Sequence, residues 1–413
     1  MMRGTVHPDF ELVRDALSLC VRDGRPGGAA VAVYHRGENV VDLATGTADE
    51  HGRPFETDSL CVSMSTTKGV TATALHVLID RGLVDFEAPV AKYWPGFARA
   101  GKSAITIRQA LSHQAGLHEV APLVDRFEQL YDWDYMVDAM ERAVPVHEPG
   151  SDFGYHAFTF GWLIGEVVRR VVGTKTFAEA LDELLARPLG LDGLFVGVPD
   201  RAMPRVADMV GLRKVPDVPG PASRAFVHAL DTGARMFGLN VEFDEAARAL
   251  FPAGIHDLDL NEPAFRRASL PAMNGHFDAR SLAKLYSAFA GDGTVDGVRL
   301  VRQREIDRMW TEHNGFLAIC RVVPFPLRIG LGYHRIITLG LRMPFGDRRD
   351  VGVASPKAFG HFGIGGSGAW ADPERELSVG LVTNTFFGKL PMDLRTVAIA
   401  TAAAHSVDRL RRR

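Results

Sequence analysis

Apolar residues recur along this chain in two different rhythms. Over residues 9–23, Phe10, Val13, Leu17, Cys20 and Val21 follow one another at three- and four-residue intervals. That spacing predicts an amphipathic helix, with Asp9 available to cap its start. In GGAAVAVYHRGENVVDLATG the rhythm shortens. Ala29–Tyr34 and Asn39–Ala44 read as two strands around the turn His35-Arg36-Gly37-Glu38. A helix follows from about Ser65 to Arg81, apolar on most faces, with Gly82 placed to end it. The strand texture returns at Ala358–Ile364, Ser367–Asp372 and Leu377–Asn384, with Pro373-Glu374-Arg375-Glu376 turning between the last two. Residues 391–411 read as a closing helix.

Strands at both ends with helical sequence between them predict an α/β fold. Its antiparallel sheet is built from both chain termini and flanked by helices, with an inserted, mainly helical region. The expected division is a sheet domain of residues 1–80 and 330–413 and a helical region of 81–329. A cleft between them is the natural ligand site. Within the helical region, 199–271 is rich in Pro and Gly and changes texture often. It reads as short helices and loops in a pocket wall, because a structureless loop of that length is rare in a compact domain.

Composition narrows the partners. Lys and Arg number 47 and Asp and Glu 50, a net charge of −3, so no field favours nucleic acid or an anionic membrane. The basic tail Arg409, Arg411, Arg412, Arg413 ends a helical stretch, where cations suit the helix dipole. No run of about 18 apolar residues predicts a membrane span. Cys20, Cys61 and Cys320 are odd in number and far apart, which suits a reduced compartment better than a disulfide framework. MMRGTVHPDFELV carries no apolar signal core, so a cytoplasmic location is expected.

The chemical signal is Ser65-Thr66-Thr67-Lys68. Residues three apart share one helix face, so Ser65 and Lys68 can meet in the first turn. A serine hydroxyl is a weak nucleophile and needs a base. A lysine amine can be that base if burial and a nearby positive field lower its pKa. The helix N-terminus adds a free N–H able to face an oxyanion. The spacing alone is not specific: Ser281-Leu282-Ala283-Lys284 repeats it inside an ordinary amphipathic stripe, Leu282, Leu285, Tyr286 and Phe289, and reads as structural.

Four segments in order carry a resemblance: STTK opening an apolar helix, ITIRQALSHQAGL at 105–117, PGSDFGYHAFTFGWLIGEVV at 149–168, and FGHFGIGGSGAWADPERELSVGLVTN at 359–384. Together they resemble the class C β-lactamase and penicillin-binding superfamily, and within it most nearly the family VIII carboxylesterases. The resemblance runs over roughly 27–390 and implies the β-lactamase-like fold and a serine acyl-enzyme mechanism without a cofactor. It assigns Tyr155 as the catalytic tyrosine, although among Phe153, Phe158, Phe160 and Trp162 that residue alone would read as a core aromatic. It places His361-Phe362-Gly363 where the family carries Lys-Thr-Gly or His-Thr-Gly, making these three pocket residues. By position it makes the Ile364 N–H a second oxyanion donor beside that of Ser65. The family's Tyr-x-Asn is here Tyr155-His156-Ala157. Loss of the Asn amide, and of the Lys and Thr that would hold a carboxylate, favours an uncharged small-molecule ester over a β-lactam.

Other patterns carry less. Gly365-Gly366-Ser367-Gly368-Ala369 lacks the last glycine of a nucleophile elbow, and strand texture follows it, so Ser367 reads as turn chemistry. Asp257-Leu258-Asp259-Leu260-Asn261 is followed by Glu262 where a calcium loop needs Gly. Histidines and cysteines form no zinc pattern, so no metal is expected. The sequence therefore predicts a hydrolase of short-chain carboxylic esters acting through Ser65, Lys68 and Tyr155. A β-lactamase or D-amino-acid peptidase is one alternative, and a catalytically silent penicillin-binding-like module another. Oligomeric state is left open.

Overall fold

Strand β2 (Gly28–His35) is buried along almost its whole length, and so is β12 (Leu377–Thr383). A strand covered on both faces loses the alternation of a half-exposed one and reads as a continuous apolar run. Both strands do so because helices cover the two sides of the sheet they form. In the computed structural model, residues 1–21, 25–211, 243–311, 320, 322, 328–335, 354–386 and 393–413 are described. Parts of three expected segments lie outside them: 22–23 of the first helix, 391–392 of the last, and 212–242 of the variable stretch.

The main sheet has the order β1-β3-β2-β12-β11-β10-β9, all antiparallel. Its strands are β1 (Arg3–Val6), β2, β3 (Glu38–Gly46), β9 (His334–Arg335), β10 (Phe359–Phe362), β11 (Gly368–Asp372) and β12. The two ends of the chain meet at its centre, where Val31 of β2 faces Leu381 of β12. The fold class is thus the one expected, a mixed α/β fold with an antiparallel sheet drawn from both ends. A three-stranded sheet joins β4 (Cys61–Val62), β5 (Leu194–Val196) and β6 (Gly275–Phe277), and β7 (Thr294–Val295) pairs with β8 (Val298–Arg299).

Helices α1 (Glu11–Ser18) and α8 (Leu394–Leu410) cover one face of the main sheet and share a core with Val31, Val33, Val379 and Leu381. The start of the first helix differs from the expectation. Pro8–Phe10 form a 3-10 turn whose N-cap is His7, with Nδ1 accepting the Asp9 N–H, so Asp9 lies inside the turn instead of capping a helix. On the other face lie α2 (Thr66–Asp80), α3 (Ile107–Leu111), α4 (Trp133–Arg142), α5 (Thr159–Val172), α6 (Phe243–Leu250) and α7 (Ala279–Ala290), in the larger core. Helix α7 comes from the middle of the chain yet packs directly on the sheet. The Ser378 hydroxyl donates to the Ala283 carbonyl at 2.8 Å, and a side chain at Gly380 would meet the Ala279 carbonyl. The most deeply placed helix is α2, with every residue from Thr66 to Asp80 buried.

Candidate active site

Ser65 stands as the residue before α2, and the backbone reaches it through an unusual turn. Met64 has φ 45°, a left-handed conformation that a residue with a Cβ rarely adopts. Such conformations persist where surrounding contacts fix them, and they cluster at functional sites. Here the Ser63 N–H donates to Gly275 O at 2.7 Å and the Thr67 hydroxyl donates to Met64 O at 2.6 Å. One turn into the helix, Lys68 Nζ lies 3.2 Å from Ser65 Oγ and 2.9 Å from the Ala272 carbonyl oxygen. Lys68 is fully buried and forms no ion pair among the described residues. Burial without a counter-charge holds its amine well below the usual lysine range.

Tyr155 lies across the same amine, with Lys68 Nζ 5.0 Å from its ring centroid. Burial pushes the Tyr155 phenol up, and a hydrogen bond with the Ser65 side chain only partly offsets this. Ser65, Lys68 and Tyr155 are therefore brought together at one point. Several histidines surround them. The His334 ring lies 6.1 Å from that of Tyr155 and 4.1 Å from that of His361. His113 lies 4.9 Å from Tyr155 on another side. Burial lowers His334 to about 4, and it holds His361 and His113 well below the ordinary imidazole range. With Lys68 nearby, additional positive charge at these rings is disfavoured, so the site is rich in polar groups yet short of charge.

The end of β10 closes the other side. A Cβ at Gly363 would come within 2.2 Å of the Ser63 carbonyl oxygen, so this glycine is what lets the strand end press against the turn before Ser65. The Thr66 hydroxyl donates to Ser367 O at 3.0 Å, tying the first turn of α2 to the 363–367 turn. Within that turn Gly363 N donates to Ser367 O and Gly366 N to Gly363 O. The backbone N–H groups of Ser65 and Ile364 take no part in the hydrogen bonds among the described residues, while the Ile364 side chain is 75% exposed. His361 faces the α2 side, its Cβ 2.9 Å from where a Cβ on Gly69 would stand. Phe362 departs from the expected pocket role. Successive strand residues point to opposite faces, and its ring lies 5.7 Å from that of Trp370, against the core shared with α1 and α8.

The side chains of the motifs set aside in the sequence have structural partners. The Ser281 hydroxyl accepts the Gly193 N–H and its backbone N–H donates to the Asp278 cap of α7. Ser367 Oγ accepts the Thr383 N–H. Asn261 is bonded to both backbone groups of Met209. Among the described residues no group of three His, Cys, Asp or Glu side chains is disposed to hold a metal. No helix there is long and apolar enough to cross a membrane. Sequence reasoning missed three members of the site: the Ala272 carbonyl, His334 and His113. Only His113 left a signal, standing within the segment ITIRQALSHQAGL.

Residues 13–404 match the β-lactamase family. The chain belongs to that family. Like its relatives, this β-lactamase-family chain is a serine hydrolase. It is 37% identical over 393 residues to the esterase/β-lactamase LipL of Mycobacterium tuberculosis, covering 94% of this chain and 84% of that protein. A solved family VIII carboxylesterase superposes with a TM-score of 0.81 at 34% identity, covering 98% of this chain and all of the other. A penicillin-binding protein homologue from Caulobacter crescentus gives 0.80 at 33%, with coverage of 98% and 100%.

Proposed function

We propose that the protein hydrolyses short-chain carboxylic esters through an acyl-enzyme on Ser65. The observation that carries this reading is the Lys68 amine, buried without a counter-charge and 3.2 Å from Ser65 Oγ. Neutral Lys68 takes the Ser65 proton as Oγ attacks the ester carbonyl, forming the Oγ–C bond. The developing oxyanion is received by the N–H groups of Ser65 and Ile364. As the C–O bond to the alcohol breaks, the proton passes to the departing oxygen by way of Tyr155, whose phenol stays protonated at rest. Water then attacks the acyl carbon and gives a proton to the same pair; the Oγ–C bond breaks, the acid leaves, and that proton passes to Ser65 Oγ.

An ester preference has further support. Ala157 offers no amide beside Tyr155, and His361 holds a neutral ring where a lysine ammonium would grip a carboxylate. A desolvated carboxylate left unpaired costs several kcal/mol, which is about two decades of rate or more. The family VIII carboxylesterase points in the same direction by name, while the name of LipL carries both activities. The test compares kcat/KM for p-nitrophenyl butyrate and nitrocefin on one preparation. The butyrate is expected to lead by about 100-fold or more, and a better rate on nitrocefin would overturn the ester assignment. Labelling by a fluorophosphonate, lost on Ser65→Ala, distinguishes an active enzyme from a silent acyl-binding module.

A further inference from the structure

Tyr155 sits in a stretch of backbone with no regular secondary structure, Phe153 to His156. Buried backbone groups need partners, so something other than a helix or sheet ladder must fix this tyrosine. The Tyr155 N–H itself donates to Cys320 Sγ at 3.3 Å, and the N–H groups of its two neighbours both go to one residue. The His156 N–H donates to His113 Nδ1 at 3.0 Å, and the Gly154 N–H donates to the His113 carbonyl at 3.2 Å. His113 thus holds the peptide groups on both sides of Tyr155. Its ring also lies against the Tyr155 ring, centroids 4.9 Å apart at 34°, and is backed by Phe160 at 4.9 Å and 26°.

Two more facts show that the arrangement is built. His113 has φ 61°, a left-handed conformation that turns the chain sharply just after α3 and brings side chain and carbonyl to bear on the same segment. The adjoining His156 ring completes the lock. Its Nε2 accepts the Leu117 N–H at 3.1 Å, so its proton is on Nδ1, which donates to the Gly154 carbonyl at 2.7 Å. The role of His113 also depends on tautomer: Nδ1 must be bare to accept, which leaves the proton on Nε2. Burial favours the neutral ring that this requires.

We propose that His113 is a positioning residue for Tyr155. Its bare Nδ1 and its ring fix the phenol against Ser65 and Lys68, and it acts through Tyr155 without touching substrate. This rests on the reading of Tyr155 as a proton carrier. The test uses two substitutions that both tolerate the left-handed backbone. His113→Gly removes acceptor and ring, while His113→Asn restores an acceptor oxygen near Nδ1. On p-nitrophenyl butyrate, His113→Gly is expected to lower kcat by about tenfold or more with KM changed less than about threefold, and His113→Asn to recover most of the loss.

The same glycine substitution in a Tyr155→Phe background should cost less than about twofold, because the group it positions is already gone. Equal losses in the two backgrounds would overturn the proposal while leaving Tyr155 as a catalyst. A fully active Tyr155→Phe would instead remove the reading on which it rests. If His113→Gly does not fold, nitrogen NMR of histidine-labelled wild-type protein decides the matter. A proton-free, hydrogen-bonded Nδ1 on His113 at pH 7 supports the proposal, and a protonated Nδ1 ends it.

Discussion

The chemistry proposed for Ser65 and Lys68 depends on where they are, since neither side chain is unusual. The amine is enclosed, meets a hydroxyl and a carbonyl, and among the described residues has no carboxylate to keep it charged. Ser65→Ala should therefore lower kcat for ester hydrolysis on the order of 10⁴-fold or more, while Ser281→Ala, altering a helix-start hydrogen bond in α7, should leave it nearly unchanged. Comparable losses in both would remove Ser65 from its role. Lys68→Arg should be nearly inactive, because arginine keeps the positive charge and cannot release its proton. The rate should also fall on acidification: as pH drops through the lowered pKa of Lys68, the amine gains a proton and stops serving as base. A kcat that instead rises as the pH is lowered would contradict that sign. The Ser65–Lys68 pairing was legible because both residues sit on one helical turn. The Ala272 carbonyl, 204 residues from Lys68, was not. A backbone oxygen has no residue-type signature, and nothing local marks which distant carbonyl will arrive.

At the level of elements, the 363–367 turn, proposed to receive the oxyanion, is held by the start of α8. Arg395, 4% exposed, donates to the Gly365 carbonyl and the Thr385 carbonyl at 2.8 Å each and pairs with Asp393 at 2.6 Å. The Thr396 hydroxyl reaches the Gly366 carbonyl at 3.1 Å. Arg395→Ala would strand the Asp393 carboxylate and free the turn. The expected result is a loss of about 3–5 kcal/mol in urea unfolding, together with slower fluorophosphonate labelling of Ser65. Unchanged stability would mean that the turn keeps its own shape. The long strands and α2 were legible to within two residues, since a buried strand and a buried helix each leave a continuous apolar run. The first helix was not: Pro8 and the His7 cap begin a 3-10 turn, and α1 itself closes at Ser18. Strand β9, two residues long, is too short to show a period; only its pairing with β10 makes it a strand.

Across the whole molecule, buried imidazoles tie stability to pH. An unfolded histidine takes up a proton near pH 6.5. Burial lowers His276 to about 3 and His334 to about 4, and shifts His113, His156 and His361 the same way. Below pH 6.5 the unfolded chain binds more protons than the folded one, so stability is full above that pH and declines as pH falls towards 4. For His276 the loss at pH 5 is about 2 kcal/mol. Asp278, raised by burial to about 6, works in the opposite sense but is outnumbered. The urea midpoint should be lower at pH 5 than at pH 7.5, and an equal or higher one would refute the balance. The sheet's own topology has a consequence in time. Val31 and Leu381 are paired at its centre but are made 350 residues apart. At roughly 5–20 residues per second, β2 waits about 18–70 s during translation for β12. Until then one edge of β2 is open, and the wall beside Ser65 formed by Gly363 and Ile364 has only just emerged. A nascent chain can therefore build the helix of the proposed nucleophile early, yet hydrolysis through Ser65 would begin only when the last strands are laid down.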